Sequence, residues 1–95
     1  MLKFEFNPGK DAANRRKHGI SLERAVDFDW AEARIEPDTR RDYGEPRFIA
    51  TGLIEGRLHV MVFAHRGDAT RVIGLRKANR REAKHHEEKK ETAAH

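Results

Sequence analysis

Across residues 66–81, Arg66, Arg71, Arg76, Lys77, Arg80 and Arg81 stand against a single acid, Asp68. Guanidinium groups in such a run favour phosphate, because the planar fork donates to two oxygens and stays charged. The chain adds six histidines, whose ordinary pKa near neutrality lets them take and return protons. Cations and imidazole together can cut RNA without a metal. The adjacent 2′-OH attacks phosphorus, a base takes its proton, an acid serves the leaving 5′-oxygen, and cations surround the phosphorane. The same run also reads as a solvated basic face, so a ribonuclease is one reading among several at this point.

Other chemistries have less support. With no Cys, disulfides, thiolate catalysis and cysteine zinc sites are excluded. His85 and His86 are adjacent in a polar tail with no carboxylate at ligand spacing. His59 and His65 fall on one face of one expected strand, roughly 20 Å apart by the strand rise. Metal catalysis is therefore disfavoured. Ser21 has no nucleophile-elbow frame and reads as a helix cap. No glycine-rich phosphate loop is present, and Gly44, Gly52 and Gly56 read as turns. Arg66-Gly67-Asp68 reads as a hairpin turn.

The groups need a small scaffold. Ninety-five residues make one domain with a modest core. Apolar residues are 37% and charged residues 38%, and the net charge is +4. That charge is uneven: residues 1–46 carry nine basic and ten acidic groups, residues 47–95 eleven and six. The second half thus projects a focused positive field. No apolar run approaches the length of a membrane span, and MLKFEF lacks the apolar core of a secretory signal. The expectation is a cytoplasmic protein drawn to an anionic partner, without a membrane role.

Period-2 alternation of Leu2, Phe4 and Phe6 predicts a strand. Asn7-Pro8-Gly9 breaks it, and residues 10–18 read as a helix ended by Gly19. Ser21 caps a second helix carrying Leu22, Ala25, Val26 and Phe28 at helical spacing. A linker over 30–46 holds Pro37, Gly44 and Pro46, with a short strand around Ala33–Glu36. Strands follow at Arg47–Leu53, Leu58–His65 and Thr70–Arg76, the middle one apolar on both faces and so interior. On the last strand, Arg71, Ile73 and Leu75 alternate with Val72, Gly74 and Arg76. Asn79 and Glu82 form a capping-box start for a polar helix, which either frays or docks on a partner. The fold class is α+β, and Leu2, Phe4, Phe6, Val26, Phe28, Leu58, Val60 and Val62 are assigned to its core.

Several short blocks now stand in order: Lys17-His18-Gly19-Ile20-Ser21, Asp42-Tyr43-Gly44-Glu45-Pro46-Arg47, Gly56-Arg57, Arg66-Gly67-Asp68, and Arg76-Lys77-Ala78-Asn79 with Arg81-Glu82. Together with Lys3-Phe4-Glu5-Phe6 they resemble the BrnT toxins of bacterial type II toxin-antitoxin systems, over residues 2–83. The resemblance implies a RelE-like microbial ribonuclease fold, with two N-terminal helices packed on a twisted antiparallel sheet and a C-terminal helix. Residues 1–83 would be the toxin domain and 84–95 a polar tail, helical or disordered. It also implies a ribonuclease that blocks translation, with no cofactor. Its partner would be a BrnA-type antitoxin with a ribbon-helix-helix end, in a heterotetramer that binds operator DNA. Two positions depart from the family pattern: Ile73-Gly74-Leu75 replaces the usual Ile-Ser-Ala, and Ala64-His65 replaces a hydroxyl residue and an acid.

On this basis Arg66, Arg76, His18 and Lys17 are the candidate catalytic residues. Lys77, Arg47, Tyr43 and His65 are the candidates for holding substrate, Tyr43 by stacking on a base. Arg66 and Arg76 end neighbouring antiparallel strands and are expected at opposite ends of the sheet. Two other functions stay open: a non-catalytic nucleic-acid binder, and a protein acting chiefly as the antitoxin's partner and co-repressor.

Overall fold

The computed structural model describes residues 3–94 and the side chains of residues 3–89; Leu2, assigned above to the core, lies outside them. Strand β1 is Lys3–Glu5 and helix α1 is Pro8–His18. The helix starts earlier than its expected first residue, because Asn7-Pro8-Gly9 is its N-terminus rather than a break. Asn7 Oδ1 accepts from the Gly9 and Lys10 amides at 2.8 and 3.1 Å. Pro8 sits in the first turn, where its missing N–H costs nothing. Gly19, at φ 72°, ends the helix in the left-handed conformation and donates to the Arg15 carbonyl.

The second helical segment, Leu22–Asp27, is a 3-10 helix, with Ser21 Oγ accepting from the Glu23 amide. Three residues per turn place Leu22, Ala25 and Phe28 on one line. All three are buried. Val26 is off that line and 64% exposed, which corrects its assignment to the core. Asp11 ties this segment to α1, its Oδ1 accepting from Ser21 Oγ at 2.9 Å and the Leu22 amide at 2.7 Å.

Strands β2 (Arg34–Pro37), β3 (Phe48–Ile54), β4 (Arg57–Arg66) and β5 (Ala69–Lys77) form an antiparallel meander. The β3–β4 hairpin turns on Glu55 (φ 48°) and Gly56 (φ 76°), the two left-handed residues of a type I′ turn. The sheet order is β1-β5-β4-β3-β2, which makes β4 central as its two apolar faces predict. The sheet is mixed rather than wholly antiparallel, since β1 joins β5 in parallel through Phe4↔Thr70. Between β1 and β2 the chain crosses one face of the sheet through α1 and the 3-10 helix, reaching the opposite edge.

That covered face holds the core: Leu22, Ala25 and Phe28 pack against Met61, Phe63, Val72 and Leu75, with Phe4 and Phe6 at the margin. The strict alternation expected for β5 fails at a bulge. Val62 pairs with Gly74 and Phe63 with Val72, leaving Ile73 as the extra residue. Val72 and Leu75, three apart, therefore both reach the core. Val60 and Val62 are on the other face with Gly74, so they line a cleft there instead of the main core. Leu58 is only half-buried. Helix α2, Arg80–Ala94, lies over that second face. It carries the helix through most of the tail segment, from the expected Asn79–Glu82 capping box. Among the described residues, no helix is long and apolar enough to cross a membrane.

Candidate active-site cleft

Between the second face of the sheet and α2 lies a cleft of about 480 Å³. Its floor is apolar and small: Ile49, Val60, Val62 and Gly74 come from three adjacent strands. Its walls are charged. His18 enters from the C-terminal end of α1, Arg34 and Glu36 from β2, Arg76 from β5, and Arg40 from the loop after β2. Arg81, Glu82, His85 and His86 descend from α2.

The placement of His18 and Arg76 depends on Asn14. Its Nδ2 donates to the Ile20 and Leu75 carbonyls at 2.9 and 2.8 Å, and its Oδ1 accepts from the Leu75 amide at 3.2 Å. This buried amide fastens the last turns of α1 to the strand segment that carries Arg76. Although the His18 side chain is largely exposed, desolvation at the cleft edge, then the charges of Lys17 and Arg76, hold its imidazole below its ordinary pKa. His18 is thus biased to the neutral, proton-accepting form at neutral pH.

Arg76 is already engaged. Its Nη1 and Nη2 each donate to a Glu82 carboxylate oxygen at 2.7 Å. The bond raises the guanidinium pKa and lowers that of Glu82. Glu82 Oε1 also accepts from the Asn79 amide at 2.9 Å, so one carboxylate caps α2 and holds the cleft's strand-borne arginine.

A second cluster adjoins the cleft. Asp38, with no exposed side-chain surface, accepts from Arg40 Nε and Nη2 at 2.8 Å each and from the Tyr43 hydroxyl at 3.1 Å. The Arg40 bonds hold the Asp38 carboxyl well below the usual carboxylate range and push the Arg40 guanidinium up. The Arg47 guanidinium stacks over the Tyr43 ring, 4.1 Å from its centroid. Glu45 bridges Arg47 and Arg66 at 3.8 and 3.5 Å.

Of the eight residues singled out from sequence, His18 and Arg76 line the cleft, and Lys17 lies within electrostatic reach of His18. Arg66, Arg47 and Tyr43 gather in the second cluster. Arg66 and Arg76 are well separated, as their strand-end positions predict. Arg76 pairs with Val60 and Arg66 with Ala69, six residues further along β4, or roughly 20 Å. Strand alternation puts both on the cleft face. Lys77 and His65 are on the other face: Lys77 pairs with His59, and His65 packs its ring against Phe48 and Phe63. Sequence reasoning passed over Arg34, Arg40 and Asp38 because they fall in the half of the chain that is acidic overall, within a linker. The Asp-x-Arg spacing of Asp38 and Arg40 was the available signal.

A family model described as the ribonuclease toxin BrnT of type II toxin-antitoxin systems matches residues 6–82. The match spans most of the chain and takes in both clusters, ending at Glu82. No curated protein matches the chain.

Proposed function

Because the chain belongs to the BrnT family of ribonuclease toxins from type II toxin-antitoxin systems, we propose that it cleaves RNA in this cleft, without a metal, by attack of the 2′-OH. The carrying observation is the neutral-biased His18 and the Arg76 fork in the walls of one cleft. His18 takes the proton of the 2′-OH as its oxygen bonds to phosphorus. The 5′-oxygen leaves with a proton from the imidazolium or water, and a 2′,3′-cyclic phosphate remains. Arg76 stabilises the charge that gathers on the phosphorane. To do so it exchanges the Glu82 carboxylate for phosphate, a like-for-like swap of one anion for another.

Lys17 extends the cation set beside His18. Arg66, Arg47 and Tyr43 form a second contact region on the same face, so an extended RNA strand touches both. Lys77 and His65 face away from this path. The scaffold is read as RelE-like, and the protein as a cytoplasmic toxin that stops translation. It is neutralised by a BrnA-type ribbon-helix-helix antitoxin, in a heterotetramer that binds operator DNA.

The test is incubation of antitoxin-free protein with labelled RNA in EDTA, beside His18→Ala, Arg66→Ala and Arg76→Ala. Fragments ending in 2′,3′-cyclic phosphate, lost with His18→Ala and Arg76→Ala, are expected. Intact RNA calls for the same assay on translating ribosomes. If RNA stays intact there too but binds with strong salt dependence, the protein is a non-catalytic binder or co-repressor.

A further inference from the structure

Arg40 stands out because its geometry is over-determined for an exposed loop residue. Its side chain is 65% exposed, yet two of its nitrogens are fixed on Asp38, whose side chain is wholly buried. Burying a carboxylate is costly unless its oxygens are satisfied. Here the Arg40 fork, the Arg40 amide and the Tyr43 hydroxyl all donate to it. A guanidinium has five N–H groups. The fork on Asp38 uses one on Nε and one on Nη2, and the Tyr43 hydroxyl is a further hydrogen-bond neighbour of the guanidinium, leaving at least two N–H groups. Arg40 lines the cleft and is close enough to Arg76 for their charges to oppose one another. Without a fixed counter-charge, two such arginines would swing apart.

Resting on the ribonuclease reading above, we propose that Asp38 is a positioning residue that holds Arg40 at the cleft wall, and that the free edge of Arg40 binds a phosphate of the RNA next to the one at Arg76. The buried carboxylate supplies direction, and the guanidinium supplies the contact. Tyr43, bonded to the same carboxylate and stacked under Arg47, keeps the loop in register with the second contact region.

A plain charge argument and this proposal predict opposite signs for Asp38→Asn. Removing a negative charge near a polyanion site should tighten RNA binding. Losing the anchor should weaken it, because Arg40 must then be immobilised on binding. Binding is measured by anisotropy on a labelled single-stranded RNA with 2′-O-methyl riboses, which 2′-OH attack cannot cleave. Arg40→Ala is expected to weaken binding about tenfold and to flatten the salt dependence by about 0.7 in slope. Asp38→Asn is expected to weaken it about fivefold despite the added positive charge. In the Arg40→Ala background, Asp38→Asn should change binding by less than about twofold.

Wild-type affinity in Arg40→Ala, tighter binding in Asp38→Asn, or additive losses in the double variant would each overturn the proposal. Should Asp38→Asn lose its fold by circular dichroism, Arg40→Lys decides. It keeps the charge but cannot grip Asp38 with a fork and reach outward together. Binding within about twofold of Arg40→Ala is then expected, and wild-type binding overturns the proposal. Because binding is read on uncleavable RNA, a wild type that fails to cut in the separate cleavage assay sinks the nuclease reading, while these binding variants test the placement of Arg40 independently.

Discussion

Arg76 and Glu82 meet as a two-point ion pair, both nitrogens 2.7 Å from carboxylate oxygens, at the junction of β5 and α2. The pair closes the cleft's strand-borne arginine against the helix that roofs it. In the proposed mechanism, RNA phosphate and Glu82 compete for this one fork. Glu82→Gln retains the amide-accepting oxygen of the capping box but loses the charge. RNA binding is expected to tighten by about 1 kcal/mol, roughly fivefold, with little change in helix content. Unchanged affinity would mean that Glu82 does not compete.

His18 provides the pH dependence. Desolvation at the cleft edge, then Lys17 and Arg76, place its folded pKa below 6.5. The folded state then binds a proton less readily than the unfolded chain, so this residue makes the protein less stable as pH falls below 6.5. The loss is complete once pH is below the folded pKa. NMR titration of the His18 ring should give a midpoint below 6.5, and the acid limb of cleavage should follow it. Lys17→Ala should raise the midpoint while leaving it under 6.5, because desolvation is the larger cause. A wild-type midpoint above 6.5 would contradict the electrostatics of the cleft.

Glu82 and Asp38 act with the opposite sign. Both are held below their ordinary carboxylate pKa by arginines. Their contribution is present above the ordinary range and is lost as pH falls through the folded values. Acid unfolding followed by circular dichroism should therefore move to higher pH in Arg40→Ala. No shift would detach the Asp38 pair from stability.

The two strand-end arginines should separate kinetically. In the proposed mechanism Arg76 adjoins the reacting phosphate, so Arg76→Ala is expected to lower kcat by about a hundredfold or more. Arg66 is roughly 20 Å along the strand from it, so Arg66→Ala should raise KM with kcat nearly intact. Equal kcat losses in both variants would place the reaction elsewhere on this face.

Asn14 is the main fastening between α1 and β5. Asn14→Ala strands the buried Leu75 amide and carbonyl, at a cost of about 2–4 kcal/mol measured by urea unfolding. RNA cleavage should fall even where the variant stays folded, since His18 and Arg76 would no longer be held together. Wild-type stability would show that the three hydrogen bonds contribute little.

Much of this architecture is written in local sequence. Gly19, Gly56 and Asn79-Glu82 end or begin elements by their own conformational preferences, which need no tertiary partner. The two apolar faces of β4 announce a central strand, because only burial on both sides tolerates them. Even the separation of Arg66 and Arg76 follows from their positions at the ends of an antiparallel pair. The order of short motifs was enough to place the chain beside the BrnT family, to which it belongs.

Tertiary structure decided the rest. Period 3 and period 3.6 differ little over six residues, so only packing fixed the 3-10 turns and left Val26 outside. The bulge at Ile73 reverses the facing of half of β5, and alternation along one strand cannot reveal an extra residue defined by its neighbour. The parallel seat of β1 joins residues far apart in the chain, with no local signal for direction. The cleft itself is made where α1, the loop after β2, β5 and α2 converge. Each brings at least one cation or imidazole, and of these only His18 and Arg76 stand out in the sequence as site candidates. Charge and chemistry are properties of residue type, and the chain states them openly. Proximity is a property of the folded backbone, and it alone set His18, Arg40 and Arg76 around one space.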